Sequence, residues 1–271
     1  MMRIELRKAF SGWKFVVTFL ILCIISAGSA LYVITGSFRD VFHAGENPML
    51  GVTSVYKYWM GNDWDSWFSS LYFFLFPIAA VMPAGLSLYK EKKTNYTAQM
   101  LIRENKNVYY LHKYLAAFIS GGVIVCLPVI MNIMVVALRF PFRTPDLNYD
   151  IYYKIQPFSF ASGLFYTRPW LYLILRLAVI FLYAGLCAVL STSVSFICRN
   201  RYIIVFTPQI LFMVVNFCNM AFQIPYELSP IKFLGAGNTY IVASSVVFGE
   251  AALLIAVSLT LFVFGRKRDV L

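Results

Sequence analysis

Residues 114–138 read YLAAFISGGVIVCLPVIMNIMVVAL, a stretch of 25 residues without a charged side chain. Because an α-helix rises 1.5 Å per residue, this stretch reaches about 38 Å and can cross a hydrocarbon core of about 30 Å. Five other charge-poor stretches have a comparable length. Together they predict transmembrane spans at 15–35, 67–89, 114–138, 170–196, 202–223 and 241–265.

The composition of the chain agrees with a membrane protein. Its 271 residues are 60% hydrophobic and 13% charged, with a mean hydropathy of +0.71, whereas about a quarter of the residues of a soluble domain are charged. Six spans and their loops use nearly the whole length, which leaves little for a separate soluble catalytic domain. We therefore predict an all-α integral membrane protein with a single transmembrane domain, residues 1–271, and no enzymatic activity of its own.

The basic residues predict the orientation, because Lys and Arg are retained on the cytoplasmic side. With the N-terminus inside, 15 of the 23 Lys and Arg residues fall in cytoplasmic segments and seven in outer ones. Both termini are thus expected in the cytoplasm, with the chain in the cell (plasma) membrane. This bias and attraction to anionic membrane lipid explain the net charge of +11, so we expect no nucleic-acid partner.

Residues 1–14 predict an amphipathic helix before the first span. Its apolar side chains recur at positions i, i+3, i+4 and i+7, and basic residues occupy the other face. The apolar positions are Leu6, Ala9, Phe10 and Trp13. We expect this helix to lie on the inner leaflet; the alternative is a simple extension of the first span.

The cytoplasmic segment between the second and third spans, residues 90–113, begins KEKKTNYTAQMLIRE. It carries three adjacent large apolar residues, Met100, Leu101 and Ile102, into a loop predicted to face water. Such a patch predicts a partner surface. The alternative is that the three residues fold back onto the membrane interface.

The layout of the chain resembles the permease subunits of ABC-2 type exporters. Those subunits have an amphipathic N-terminal helix, six spans, and a Glu-containing coupling loop that docks on an ATPase and ends in a Lys opening the third span. Glu91, Met100-Leu101-Ile102 and Lys113 occupy these places. The chain departs from many relatives where Arg103-Glu104-Asn105 and His112 replace a Pro after the Leu pair and a Gly before the Lys.

This resemblance implies an ABC-2 exporter-like fold and separate ABC ATPase subunits as partners. The chain has no G-x-x-x-x-G-K-[ST] motif, so ATP and Mg²⁺ are expected in the partner ATPase and no cofactor in this chain. Paired ATPases imply a second permease copy or a related permease. The short relatives that it resembles export amphipathic peptides such as phenol-soluble modulins, so the cargo is expected to be an amphipathic peptide, a drug or a lipid.

The fifth span carries a polar stripe. Its members lie at spacings of three and four residues and therefore share one helical face. They are Gln209, Phe212, Asn216, Asn219 and Gln223. Because amides are unfavourable toward lipid, the stripe predicts either hydrogen bonds between helices or a wall of the translocation path. The resemblance favours the path.

Arg176 and Glu250 are the two charges within the predicted spans. They fall at a similar distance from the outer ends of their helices, so we expect a structural ion pair. The alternatives are binding of cargo by one of them, or side chains that extend to the outer interface.

For the function of the whole chain, the alternatives are a secondary transporter or channel, or a membrane protein that partners others without transporting.

Overall fold

The computed structural model describes residues 2–43, 54–63, 66–103, 105–145, 155, 158–235 and 241–268. Within these ranges the regular structure is helical, apart from an isolated bridge between Tyr226 and Ile241. The helices are α1 Met2–Phe10, α2 Trp13–His43, α3 Val55–Tyr58, α4 Trp67–Val81, α5 Ser87–Lys93, α6 Tyr96–Arg103, α7 Lys106–Ala137, α8 Ser162–Thr167, α9 Pro169–Val194, α10 Arg201–Ala221, α11 Pro230–Leu234 and α12 Ser244–Arg268.

Five of the described helices are long and apolar enough to cross a membrane, namely α2, α7, α9, α10 and α12. The prediction of an all-α, multi-pass membrane protein is therefore confirmed. The remaining apolar helix, α4, has 15 residues. It reaches only about 22 Å and is shorter than a hydrocarbon core of about 30 Å.

The second predicted span, residues 67–89, is thus not one continuous helix. Helix α4 ends at Val81, and a turn follows before α5 begins. Pro83 lies in this turn, and a proline removes an N–H donor and clashes with the carbonyl four residues earlier. Ala84 and Leu86 in the turn are buried, which is how non-helical backbone is accommodated at membrane depth.

The packing of α7 against α9 forms the centre of the bundle. At Gly121 an added Cβ would lie 2.7 Å from the Ala188 side chain and 2.9 Å from the carbonyl oxygen of Ala80. Small residues let helices approach closely where no water drives them together. Helix α9 also contacts α4, α10 and α12, so the surrounding elements are positioned relative to this central pair.

Helix α1 ends at Phe10, and a bend at Ser11 and Gly12 separates it from α2. Its face with Glu5 and Ala9 is buried. Ala9 belongs to a cluster of small side chains with Ala84 and Ala117. Helix α1 therefore packs closely on α7 and on the turn after α4.

Candidate functional site

The two ends of the helical bundle differ in their residues. The basic end comprises α1, α5, α6 and the N-terminal part of α7. The opposite end comprises residues 54–63 and α11, together with the N-terminal part of α9. Among the residues that the structure describes, each end contains one almost fully buried cation, and the two cations have different partners.

Lys113 is the buried cation of the basic end, with 1% of its side chain exposed. Its Nζ donates hydrogen bonds to Glu5 Oε2 and, at 2.5 Å, to Glu91 Oε1. These carboxylates come from α1 and α5, whereas Lys113 lies on α7. A buried ion requires such partners because removal from water is costly, so the ammonium ties three helices together.

Two further groups complete this site, which we call the ionic cluster: Glu5, Lys8, Glu91, Tyr109 and Lys113. The Tyr109 hydroxyl donates to Glu91 Oε2. Lys8 Nζ lies 3.2 Å from Glu5 Oε1 and 3.5 Å from Glu91 Oε1. Partial burial alone would lower the pKa of Lys8, but the carboxylates of Glu5 and Glu91 outweigh it and raise that pKa. Two ammonium groups and two carboxylates make the cluster neutral.

The structure thus brings together Glu91 and Lys113, which the sequence analysis named as separate parts of the coupling segment. Glu5, Lys8 and Tyr109 were missed as members of the site. Glu5 carried a detectable signal, because it is the single acidic residue among the first 39 and lies one helical turn before the buried Ala9.

Helix α6 separates the residues of the predicted apolar patch. Met100 is partly buried and packs against a cluster that includes Leu88 and Tyr110. Ile102, by contrast, is 87% exposed. Successive helical residues point about 100° apart, so adjacent residues cannot share one contact surface. The predicted three-residue patch is therefore corrected to an exposed Ile102 and an inward Met100, and the Leu101 side chain lies outside the described residues.

Arg176 is the buried cation of the opposite end, with 4% exposed. Its guanidinium donates to three backbone carbonyls: Nη1 to Phe233 at 2.7 Å, and Nη2 to Leu234 at 3.1 Å and to Gly61 at 3.3 Å. The expected ion pair with Glu250 is not found among the described residues. The guanidinium instead holds residue 61 and helix α11 against α9, since its planar fork can reach several acceptors at once.

Glu250 lies apart from Arg176 and has a different environment. Its Oε2 atom is buried and has no hydrogen-bond partner among the described residues. Glu227 is the charged group whose field acts on it. Glu227 itself accepts a hydrogen bond from Asn219 Nδ2 at 3.0 Å and lies 3.7 Å from Lys232 Nζ. Sequence analysis missed Glu227, because it lies between the predicted spans 202–223 and 241–265 and no local pattern indicates that its carboxylate is buried.

The predicted polar stripe of α10 does not form one water-facing wall. Gln209, Phe212 and Asn219 are buried within the protomer, and Phe212 stacks on Phe76 at a ring distance of 6.0 Å. Asn216 is half-buried. Gln223 follows the end of the helix with a positive φ of 48° and is exposed. Gln209, Phe212 and Asn219 thus face the bundle, whereas apolar side chains such as Phe217 occupy the outer face of α10.

Comparison of the chain with protein-family models, curated proteins and solved structures found no match. In the described part of the chain, no group of three or more potential metal ligands occurs.

Proposed function

We propose that the chain is the membrane-spanning permease subunit of an ATP-driven exporter, in the cell membrane with both termini in the cytoplasm. Separate ABC ATPase subunits, which bind ATP and Mg²⁺, dock on the basic end. A second copy or a related permease completes the translocation path. The observation that carries the proposal is the ionic cluster. It links α5, which together with α6 forms the proposed docking segment, to α1 and α7.

The cluster gives the docking segment a rigid connection to a long membrane helix. Removing one partner from a buried ion pair costs about 3 to 5 kcal/mol. Movement of α5 would therefore carry α7 and α1 with it rather than dissociate from them. Helix α7 has 32 residues and extends about 48 Å, so a displacement at its basic end is transmitted across the bilayer.

The docking contact that we propose is Ile102, at the end of α6. A large aliphatic side chain that is almost fully exposed in water suits a partner's apolar groove. Helix α6 is held in place by Met100, which packs against the Leu88 and Tyr110 cluster. One side of this short helix thus anchors it to the bundle while the other remains available.

The first experiment co-expresses the chain with a candidate ABC ATPase subunit and measures co-purification and ATP-dependent transport. Ile102→Glu should reduce co-purification about tenfold or more, because apolar anchors of interfaces contribute about 2 kcal/mol or more. Ile197→Glu is the matched control, since Ile197 is another exposed isoleucine near the basic end. Unchanged binding and transport in Ile102→Glu would contradict docking at α6.

A second experiment separates docking from coupling. Glu91→Gln weakens the charge pair with Lys113 without touching Ile102. We expect the ATPase to bind this variant normally and to hydrolyse ATP with reduced transport per ATP. If transport per ATP is unchanged, the ionic cluster does not couple the two subunits.

The second permease subunit is expected on the exposed apolar face of α10, which includes Phe206, Ile210 and Phe217. Phe217→Cys, in a background lacking the five native cysteines, should cross-link two copies in membranes. Met134→Cys on the exposed face of α7 is the control.

The proposed cargo is an amphipathic peptide, a drug or a lipid. Uptake of a fluorescent amphipathic peptide into inverted vesicles tests the first of these.

One observation favours a second function, a proton-coupled secondary transporter. Glu250 has a buried carboxylate oxygen that has no hydrogen-bond partner among the described residues, within an apolar helix, and such carboxylates carry protons in transporters. In proteoliposomes without an ATPase, this function predicts transport driven by a pH gradient and abolished by Glu250→Gln. The exporter predicts no transport under the same conditions.

A further inference from the structure

A cavity of about 420 Å³ opens at the basic end, beside the ionic cluster. Its volume is within the range of about 300 to 1,000 Å³ that is typical of ligand pockets. Residues from α1, the start of α2, the turn after α4, and α5 line it. Tyr96 of α6 and Ala116 of α7 also line it. The pocket therefore lies where several elements of the basic end meet, and its lining contains both cationic and apolar side chains.

One side of the pocket is cationic. Lys14 and Lys90 line it, and Arg201 at the start of α10 lies near enough to act electrostatically on Lys14. Glu5 and Glu91 also line the pocket, but Lys113 and Lys8 already neutralise them. Within the described residues no ion pair satisfies Lys14 or Lys90. Lys14 and Lys90, which repel one another, thus line the pocket together without a counter-ion from the described part of the chain.

The other side of the pocket is apolar, with Met82, Pro83 and Leu86 from the turn after α4. Its depth is marked by Trp13, which precedes Lys14 and is 78% exposed. Indole rings in membrane proteins are enriched at the level of the lipid headgroups. The cationic side therefore lies at the headgroup level, and the apolar side continues toward the hydrocarbon.

We propose that this pocket binds an anionic glycerophospholipid from the leaflet at the basic end, its phosphodiester between Lys14 and Lys90 and its acyl chain along Met82 and Leu86. The lipid connects α2, the turn after α4, and α5. This inference requires membrane insertion and does not depend on the proposed export. A free anion has no use for the apolar side, which is why a lipid is the expected occupant.

The test uses the full chain in nanodiscs made from equal parts of phosphatidylglycerol and phosphatidylcholine, followed by release and native mass spectrometry. Wild type should retain one phosphatidylglycerol per protomer. Lys14→Gln with Lys90→Gln should lower the affinity about 30-fold, because each lysine near an anionic surface contributes about fivefold. Arg3→Gln with Arg7→Gln is the matched control, since both side chains are exposed on α1 outside the pocket.

A second variant changes shape and keeps all charges. Ser87→Phe places a ring in the pocket that Ser87 lines, and it should also remove the retained lipid. Each variant is first checked for a single monodisperse peak in size-exclusion chromatography. If either the double lysine variant or Ser87→Phe fails to fold, lipid retention by the remaining one tests the proposal. Equal loss in the control pair would show general surface attraction and overturn the proposal. Inorganic phosphate at about 10 mM serves as a free-anion competitor. If it displaces all of the retained phosphatidylglycerol, the pocket binds a free anion and the proposal of a lipid occupant is wrong.

Discussion

Lys113 and Arg176 are both buried cations in a membrane bundle, yet their partners differ in kind. Two carboxylates from two other helices surround Lys113 at the basic end. Arg176 at the opposite end contacts three neutral backbone carbonyls. The ammonium is a compact charge that needs counter-charge, whereas the guanidinium is a planar fork that several dipoles can satisfy.

The two sets of partners hold different parts of the molecule in place. The partners of Lys113 are side chains on α1 and α5, so its contacts fix the positions of whole helices relative to one another. The partners of Arg176 are backbone groups of residue 61 and of α11, so its contacts fix the course of two connecting segments. The basic end is thus linked by charge, and the opposite end is held by backbone hydrogen bonds.

The largest expected effect is at Lys113. Lys113→Met leaves Glu5 and Glu91 buried without their main partner, and we expect the free energy of unfolding to fall by about 3 to 5 kcal/mol. Denaturant titration in detergent micelles measures it. Lys93→Met, an exposed lysine on α5, should have almost no effect. A loss at Lys113 no greater than at Lys93 would contradict the ionic cluster.

Arg176→Lys is expected to have the next largest effect, although it keeps the charge. An ammonium cannot reproduce the fork that reaches both connecting segments, so buried carbonyls lose their donor at a cost of about 1 to 3 kcal/mol. The same titration measures this loss. Arg168→Lys, exposed at the start of α9, is the matched control. Equal stability of the two variants would show that only the charge of Arg176 matters.

Double-mutant cycles compare the two cations directly. Residues that share a contact show interaction energies of about 0.5 to 3 kcal/mol, and distant residues add within about 0.5 kcal/mol. Lys113→Met with Glu91→Gln should fall in the first group, and Arg176→Met with Glu250→Gln in the second. An interaction energy above about 1 kcal/mol between Arg176 and Glu250 would be in the range of contacting pairs. It would then support the ion pair that was expected from the sequence.

The smallest effect is the pH dependence contributed by Lys8. Its pKa is raised in the folded chain above the ordinary value of 10.5. Its stabilisation is therefore fully present below pH 10.5 and is lost as the pH rises through the raised pKa. Because 45% of the side chain is exposed, the contribution is below about 1 kcal/mol.

Comparing the melting temperatures of wild type and Lys8→Gln at pH 8 and pH 11 checks this sign. The difference should shrink at the higher pH. Lys93→Gln serves as the control, since Lys93 is exposed and outside the cluster. A difference that grows with pH would show that Lys8 is not stabilised as a cation.

How far the sequence alone determines the site is clear at Glu91 and Lys113. Both residues were named from the resemblance in layout to ABC-2 permeases, but the spacing along the chain did not show that one hydrogen bond joins them. Glu5 is separated from Lys113 by 108 positions. No local pattern contains that distance, because the contact arises from packing of α1 on α7.

Hydropathy by itself determined that the chain is helical, that it crosses the membrane several times, and where five of its long helices lie. This works because lipid requires every spanning backbone to satisfy its own hydrogen bonds, so length and apolarity are sufficient signals. Only the tertiary structure decided which polar residues meet. Arg176 finds carbonyls rather than Glu250, and Gln209 faces the bundle. These outcomes depend on helix rotation and on how connecting segments fold back, and an apolar sequence specifies both weakly.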